Sequence, residues 1–390
     1  MRLSQLSLGG FVSSALATNL WISSYAGNIT SVQFTQSPSG AYSLKAVSTN
    51  DGCAPQASWL TKDEYNDAVY CVEEGFAGPN GTISSYKTSA SGELTLIDKH
   101  STIDGPVATV IYNGGKALVN AHYSGSGVTT FTINANGSLT PLQSFVFKLT
   151  APGTNPARQE APHPHDVILD PTGNYIAVPD LGADLVRIFH IDNKTSLITA
   201  VDPVPMAAGS GPRHGTFLKA ANGNTYFFLI TELGNTVASY NVTYLDSGLS
   251  FQQVFISGTY GDRPTPAGAA SAEAILSPDH RFLLTSARNA TLFNIKNFNP
   301  KNSTLIPSDT LQTWSIDEAT GKLKFVQLAP AGGFYPRQFS VNKNGTFAAV
   351  GMQEDARVVI VSYNATTGLY GDFVASVDVP GEITSVIWDE

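Results

Sequence analysis

The sequence predicts an all-β chain folded as a single seven-bladed β-propeller. Three observations carry this expectation. A strand-turn-strand-turn-strand unit of alternating apolar residues recurs along the chain, and each copy ends its third strand on an aromatic residue. The interval between copies is close to the length of one four-stranded blade. The seven aromatic anchors are Phe34, Tyr86, Phe131, Phe189, Tyr240, Trp314 and Tyr363, at spacings of 52, 45, 58, 51, 74 and 49 residues. With 35 Gly, 22 Pro, 42% hydrophobic residues and only 14% charged ones, the 390 residues suit a turn-rich globular fold and exclude disorder. Two stacked β-sandwich domains, the alternative, leave the single period unexplained, and no linker-like stretch divides the chain.

Taken in order, the chain opens on Arg2, an apolar run from Leu6 to Leu16 and the small-x-small pattern at Ala15 and Ala17. This reads as a signal peptide over residues 1–17, too short to span a bilayer, followed by one propeller domain over 18–390. Cys53 and Cys71, the only cysteines, are close enough to staple one loop, and in an exported chain a disulfide is the expected state. Nine Asn-x-Ser/Thr sequons, at Asn28, Asn80, Asn136, Asn193, Asn241, Asn289, Asn302, Asn344 and Asn364, mark glycosylation positions along the whole length. The long interval before Trp314 is read as holding an insertion, residues 294–308, forming a loop on one face. The last segment, Glu382 to Trp388, reads as a strand that completes the first blade, closing the ring and removing its exposed edges. The expected product is a secreted, soluble glycoprotein. A formal charge of −9 and a pI near 5.2 argue against nucleic-acid and anionic-membrane partners.

In a propeller the first strand of each blade lines the central channel, so the residues that open these strands converge. That repeated position carries His163, His165, Arg213, His214, Glu273, Arg337 and Gln338. A second repeated position closes each second strand and carries Glu73/Glu74, His122/Tyr123, Asp180, Glu232, Arg288 and Gln353. Arginine holds a carboxylate or a polarised carbonyl, and histidine moves a proton near neutral pH. Glutamate orients the histidine or shares its proton. The catalytic candidates are therefore His165, His163, Arg213, Glu232 and Arg288, and the substrate-binding candidates are His214, Tyr123, Asp180, Glu273, Arg337 and Gln353. His165 is set in register with His214. The competing reading has some of these groups as structural ties between blades. No metal is expected, because His163 and His165 alone would need two further ligands from other blades. No cofactor is expected either: dinucleotide and phosphate-loop fingerprints are missing, as is the Gly-x-Ser-x-Gly elbow of a serine esterase.

The run Pro162-His-Pro-His165, then Asp170 to Gly173, Val178 to Asp184, Gly211-Pro-Arg-His214, Thr231 to Thr236 and Ala272 to Asp279, resembles the seven-bladed β-propeller lactonase family. That family includes bacterial 6-phosphogluconolactonases and the fungal 3-carboxy-cis,cis-muconate lactonizing enzyme; a secreted fungal member is expected. The resemblance implies a site of one histidine, two arginines and a glutamate, falling here on His165 (or His163), Arg213, Glu232 and Arg288. The chain departs from the pattern in its cysteine-bearing segment, in the short hairpin from Ser286 to Ala290 and in its export signal. The expected activity is metal-free hydrolysis of a sugar-acid (aldono-) lactone at the channel mouth. The alternatives are a 3-carboxy-cis,cis-muconate cyclase-like cycloisomerase and a non-enzymatic propeller that binds a glycan or a protein. The expected partner is a small lactone or carboxylate.

Overall fold

The computed structural model describes residues 17–76 and 78–390; the signal-peptide expectation lies almost wholly outside the described residues. Seven four-stranded antiparallel sheets follow one another around a ring, and no helix occurs among the described residues. Numbered along the chain, blades 2 to 5 and 7 each take four successive strands, from Ala57–Asp63 in blade 2 to Leu369–Asp378 in blade 7. Blade 1 is composite. Its outer three strands are Ala17–Ser24, Ile29–Gln36 and Tyr42–Asn50, and its inner strand is the C-terminal Ile383–Trp388, with Leu20 paired to Trp388 and Ser23 to Ser385. This is the closure expected from the last segment.

Blade 6 corrects one expectation. Residues 294–308 are not an open loop: Phe293–Lys296 and Leu305–Ser308 pair as a separate two-stranded ribbon, inserted between the second and third strands of that blade. The alternation of Phe293, Ile295 and Ile306 with polar neighbours is a short strand pattern, and the polar run from Asn299 to Asn302 provides the turn.

The anchors explain why the period exists. Every one lies on the third strand of its blade, and each packs into the interface with the preceding blade. Tyr86 meets Trp21, Phe131 joins Tyr70 and Val72, and Phe189 faces Val107 and Val119. Tyr240 packs beside Ile188, Trp314 beside Phe228, Tyr363 beside Leu284, and Phe34 reaches Phe347 across the closure. Seven wedge-shaped gaps are thus each filled by one large ring, the residue type that buries the most apolar area per side chain. In blades 2, 3, 5 and 6 the pairing of third to outer strand shifts at the anchor itself, a bulge that adds twist where the blade widens.

The disulfide between Cys53 and Cys71 is present, both residues fully buried against Trp21 and Tyr86. It ties the segment entering blade 2 to that blade's second strand.

Two consequences are measurable. Trp314→Ala removes a fully buried ring and is expected to cost about 3–5 kcal/mol in urea unfolding; a loss below 1 kcal/mol would contradict the wedge role. Ending the chain at Gly381 removes the inner strand of blade 1 and exposes the edge of Ala17–Ser24. Size-exclusion chromatography should then show aggregated or unfolded protein rather than a six-bladed monomer.

Candidate active site

The side chains of the site come from two backbone positions per blade. Six of the seven inner strands begin with a register shift against their neighbour: Ser58, Val107, Arg213 with His214, Ala272 with Glu273, Arg337 and Thr384 all lie within such shifts. A bulge of this kind re-aims the side chain it carries, here toward the channel. Pro106, Pro212 and Pro336 directly precede three of these shifts, and Pro164 forms an isolated bridge to Asp180 at the same place in blade 4. Proline fits because an inner strand has a free edge and the ladder is already interrupted.

The second position follows the end of each second strand. The amides of Tyr25, Glu74, Tyr123, Leu181, Glu232 and Gln353 donate to carbonyls of Glu382, Gln56, Gly105, His163, Gly211 and Tyr335, one bond per blade. In blade 6, Arg288 occupies the same register, opposite Ala270.

These two positions meet in a cavity of about 270 Å³ at one mouth of the channel. From the first come Val107, His165, Arg213 and Arg337; from the second, Tyr25, Glu74, Tyr123, Glu232 and Arg288; loops add Phe76, Ser124 and Arg158. A larger groove, about 470 Å³, lies between blades 2 and 3, but it is lined by hydroxyl, amide and apolar side chains without a charged group. The charged side chains are in the smaller cavity.

Glu232 organises it. One carboxylate oxygen lies 2.8 Å from Arg213 Nε and 2.9 Å from Arg288 Nη2, and the other accepts from Arg158 Nη2 at 2.6 Å. Burial would raise its pKa, but the three guanidiniums overcome that and hold Glu232 ionised, far below the usual carboxylate range. Arg213 also donates to the Ala272 carbonyl. Burial first, then the guanidinium of Arg288, lowers Arg213 to about 9, so it stays charged at neutral pH. The Nε groups of Arg213 and Arg288 are buried without a well-aimed acceptor, although Arg213 Nε is close to the carboxylate. Across the cavity Arg337 donates to the Tyr25 hydroxyl at 2.9 Å and pairs with Glu74 at 3.3 Å, and the Tyr25 hydroxyl donates to Glu74. Four guanidiniums face two carboxylates, an excess of two positive charges when both acids are ionised.

Local ties hold these groups in place. Asp184 accepts from the amides of Gly209 and Gly211 ahead of Arg213. Asp309 accepts from Asn289, Ala290 and Tyr335, fixing the hairpin after Arg288 and the entry to Arg337 together. Gln159, fully buried, bonds Asn155 and Leu181 and so anchors the loop that presents Arg158.

His165 is the histidine in the cavity wall. Burial, then Arg213, His214 and Arg337 in turn, pushes its pKa well below the usual histidine value, leaving a neutral imidazole among cations. His163 is elsewhere: it stacks on Tyr123 at 4.1 Å, its Nδ1–H donates to the Tyr123 carbonyl and its Nε2 lies 3.0 Å from Glu160. The pairing also corrects the expected register. Pro164 is opposite Asp180 as Pro212 is opposite Thr231, so His165 corresponds to Arg213, and Asp166 corresponds to His214. One residue along a strand reverses the direction of the side chain. His214 and Glu273 therefore lie outside this cavity. So does Asp180, which accepts from His163 and Ala183 amides and pairs with Arg187 at 2.8 Å. Gln353 donates to Glu382, and Gln338 accepts from Val386 and donates to the Phe339 carbonyl. Glu73 accepts from Gly75 and Thr82. His122 bonds Thr129, and burial lowers it to about 3.

Arg158, Tyr25, Phe76 and Val107 were not singled out by sequence. Tyr25 had a usable signal, since it follows a second strand as Glu74 does. No cluster of three or more His, Cys, Asp or Glu residues suited to a metal occurs among the described residues.

A family model described as "Lactonase, 7-bladed beta-propeller" matches residues 19–388. A probable 6-phosphogluconolactonase of Arthroderma benhamiae is 28% identical over 367 residues, covering 94% of this chain and 88% of the relative. The 6-phosphogluconolactonase of Bacillus subtilis is 25% identical, covering 83% and 84%. Among solved structures, a putative 6-phosphogluconolactonase from Bacteroides fragilis superposes with a TM-score of 0.78 at 24% identity, covering 98% and 99%. The periplasmic gluconolactonase of Pseudomonas aeruginosa gives 0.77, also at 24%, covering 96% and 99%. These two structures share the fold.

Glu232→Gln tests the electrostatic core. It keeps the volume but leaves three guanidiniums without their common counter-charge, and chemical unfolding should show a loss of about 3–5 kcal/mol. A change under 1 kcal/mol would mean that the arginines do not depend on this carboxylate.

Proposed function

The chain belongs to the seven-bladed β-propeller lactonases, and on that footing we propose that it hydrolyses a sugar-acid lactone in the cavity at the channel mouth. The observation that carries the reading is a neutral imidazole, His165, facing a cavity with an excess of positive charge. Arg213 and Arg288 would polarise the ring carbonyl and stabilise the oxyanion that forms as water adds, a preorganised role for cations in a site shielded from solvent. His165 would take the proton from that water and return it to the departing ring oxygen. Glu232, held ionised by three arginines, suits orientation of Arg213 and Arg288 rather than proton sharing. The relatives named as 6-phosphogluconolactonases support hydrolysis over cyclisation.

A second reading draws on the same charge count: two surplus positive charges also suit a dicarboxylate, as in the cycloisomerase alternative. Ultraviolet loss of 3-carboxymuconate separates the two. Proton release from glucono-, 6-phosphoglucono- and cellobiono-lactone tests the first, and no rate above background on any lactone would reject it.

We further infer export and glycosylation. The buried Cys53–Cys71 disulfide supports an oxidising compartment. Asn80, Asn136, Asn193, Asn289, Asn302, Asn344 and Asn364 are exposed, whereas Asn28 and Asn241 are half-buried.

His165→Asn should lower kcat by about 10²–10⁴-fold with the fold intact. Because the His165 pKa is depressed, its base form persists as pH falls. The acid limb of kcat/KM should therefore lie below the ordinary histidine value of about 6.5; a limb at or above that value would exclude His165 as the base. Arg213→Lys, which keeps the charge but loses the planar fork, should cost about 10²–10³-fold in kcat. Protein secreted from a eukaryotic host should lose mass on removal of N-glycans; an unchanged mass would reject the glycosylation reading.

A further inference from the structure

Behind His165 lies a chain of polar side chains that the reaction above does not use. His165 Nδ1 is 3.2 Å from His214 Nε2, and His214 Nδ1 is 2.8 Å from Glu273 Oε1. The chain crosses blades 4, 5 and 6, and all three residues are buried, His214 at 2% and Glu273 at 3% exposure. His214 and Glu273 help to line a second cavity of about 370 Å³, further along the inner strands, together with Trp59, Thr109 and Asp166. The rings are held from the side, Tyr123 edge-on to His165 at 5.6 Å and Trp59 edge-on to His214 at 5.5 Å.

The order of donors along the chain follows from its last member. Glu273 Oε1 accepts the Ala274 amide at 2.9 Å and acts as an acceptor toward His214 as well. His214 Nδ1 must then carry the hydrogen, which in a neutral ring leaves Nε2 as an acceptor. An acceptor at His214 Nε2 requires a donor at His165 Nδ1. The remaining nitrogen of His165, Nε2, has no hydrogen-bond partner among the described residues, and in the Nδ1–H tautomer it holds the ring's free lone pair.

We propose that His214 and Glu273 are positioning residues that fix His165 in the Nδ1–H tautomer and stabilise the charge it acquires in turnover. The proposal rests on the lactonase reading of the first cavity. As a water oxygen bonds to the lactone carbonyl carbon, the carbonyl π pair moves onto its oxygen to form the oxyanion, the water O–H bond breaks with its electron pair left on the water oxygen, and the proton bonds to His165 Nε2. The imidazolium so formed shares its Nδ1 proton with His214 Nε2, and the Glu273 carboxylate offsets the positive charge. The Nε2 proton then passes to the ring oxygen as its bond to the carbonyl carbon breaks. Burial, Arg213, His214 and Arg337 oppose protonation of His165, while the carboxylates of Asp166 and Glu273 lie on the far side, beside His214.

The alternative is an ion pair that only ties blade 5 to blade 6. Two arms separate them. Nitrogen NMR of the unaltered protein with labelled histidines, assigned against His165→Asn, should show Nδ1 protonated and Nε2 bare; an Nε2–H tautomer overturns the proposal. In Glu273→Gln, kcat should fall at least tenfold with KM within twofold. The acid limb of its pH profile should move to lower pH, because the negative charge favouring protonation is gone. A folded variant with unchanged kcat and an unmoved limb also overturns it. If the unaltered protein turns over no lactone, the lactonase reading fails, and the NMR arm still decides the tautomer.

Discussion

Everything in this molecule depends on the ring being closed. Seven sheets can surround a channel only if the last strand finds the first, and here Ile383–Trp388 pairs with Ala17–Ser24. The Ser23 and Thr384 hydroxyls are 2.8 Å apart although they lie 361 residues apart in sequence. Closure removes the two sheet edges that an open arc would expose. It also fixes the distances between blades, so groups on either side of blade 1, such as Arg337 from blade 7 and Glu74 from blade 2, are held in contact.

Within that frame the blades divide their labour by face. Anchors such as Trp314 and Phe189 point into the gaps between blades, while rim residues point into the channel. The channel set carries a large electrostatic load: four arginines crowd one small cavity, and Glu232 alone contacts three of them. Buried charges of one sign destabilise one another unless a counter-charge is shared among them. Arg288 Nε has no partner among the described residues and the guanidiniums outnumber the carboxylates, so the charge is compensated only in part, and an oxyanion or an anionic substituent would complete the set.

What was legible in the sequence follows the same division. The blade period could be read because an anchor such as Tyr86 or Trp314 is a local event at the end of an alternating strand. Ring closure could be read from the terminal apolar alternation up to Trp388. Register was harder. Pro212 and Pro336 were visible, but the irregularity each one precedes spans two residues in blade 5 and one in blade 7. A register read from the sequence is therefore off by one in blade 4, which sets His165 in line with His214 rather than Arg213, and Asp180 in line with Glu232 rather than Thr231. Arg158 carries no periodic signal because it sits on a loop, placed by the amide network of Gln159. The inserted ribbon near Ile295 was taken for loop because each of its strands has only four residues.

The composite first blade has a further consequence, for the timing of folding. The outer strands of blade 1 precede every other blade along the chain, yet their inner partner follows all of them. Contacts this distant in sequence are slow to form because the loop between them must be ordered first. Blades 2 to 7 each come from one stretch of chain, blade 6 with its inserted ribbon, and can assemble as they emerge, whereas the three outer strands of blade 1 pair with one another but must wait for Ile383–Trp388 to complete their sheet. The final structural event therefore both completes the channel and brings Tyr25 and Glu74 up to Arg337. A chain stalled before that step would carry most of its blades and still lack a finished site.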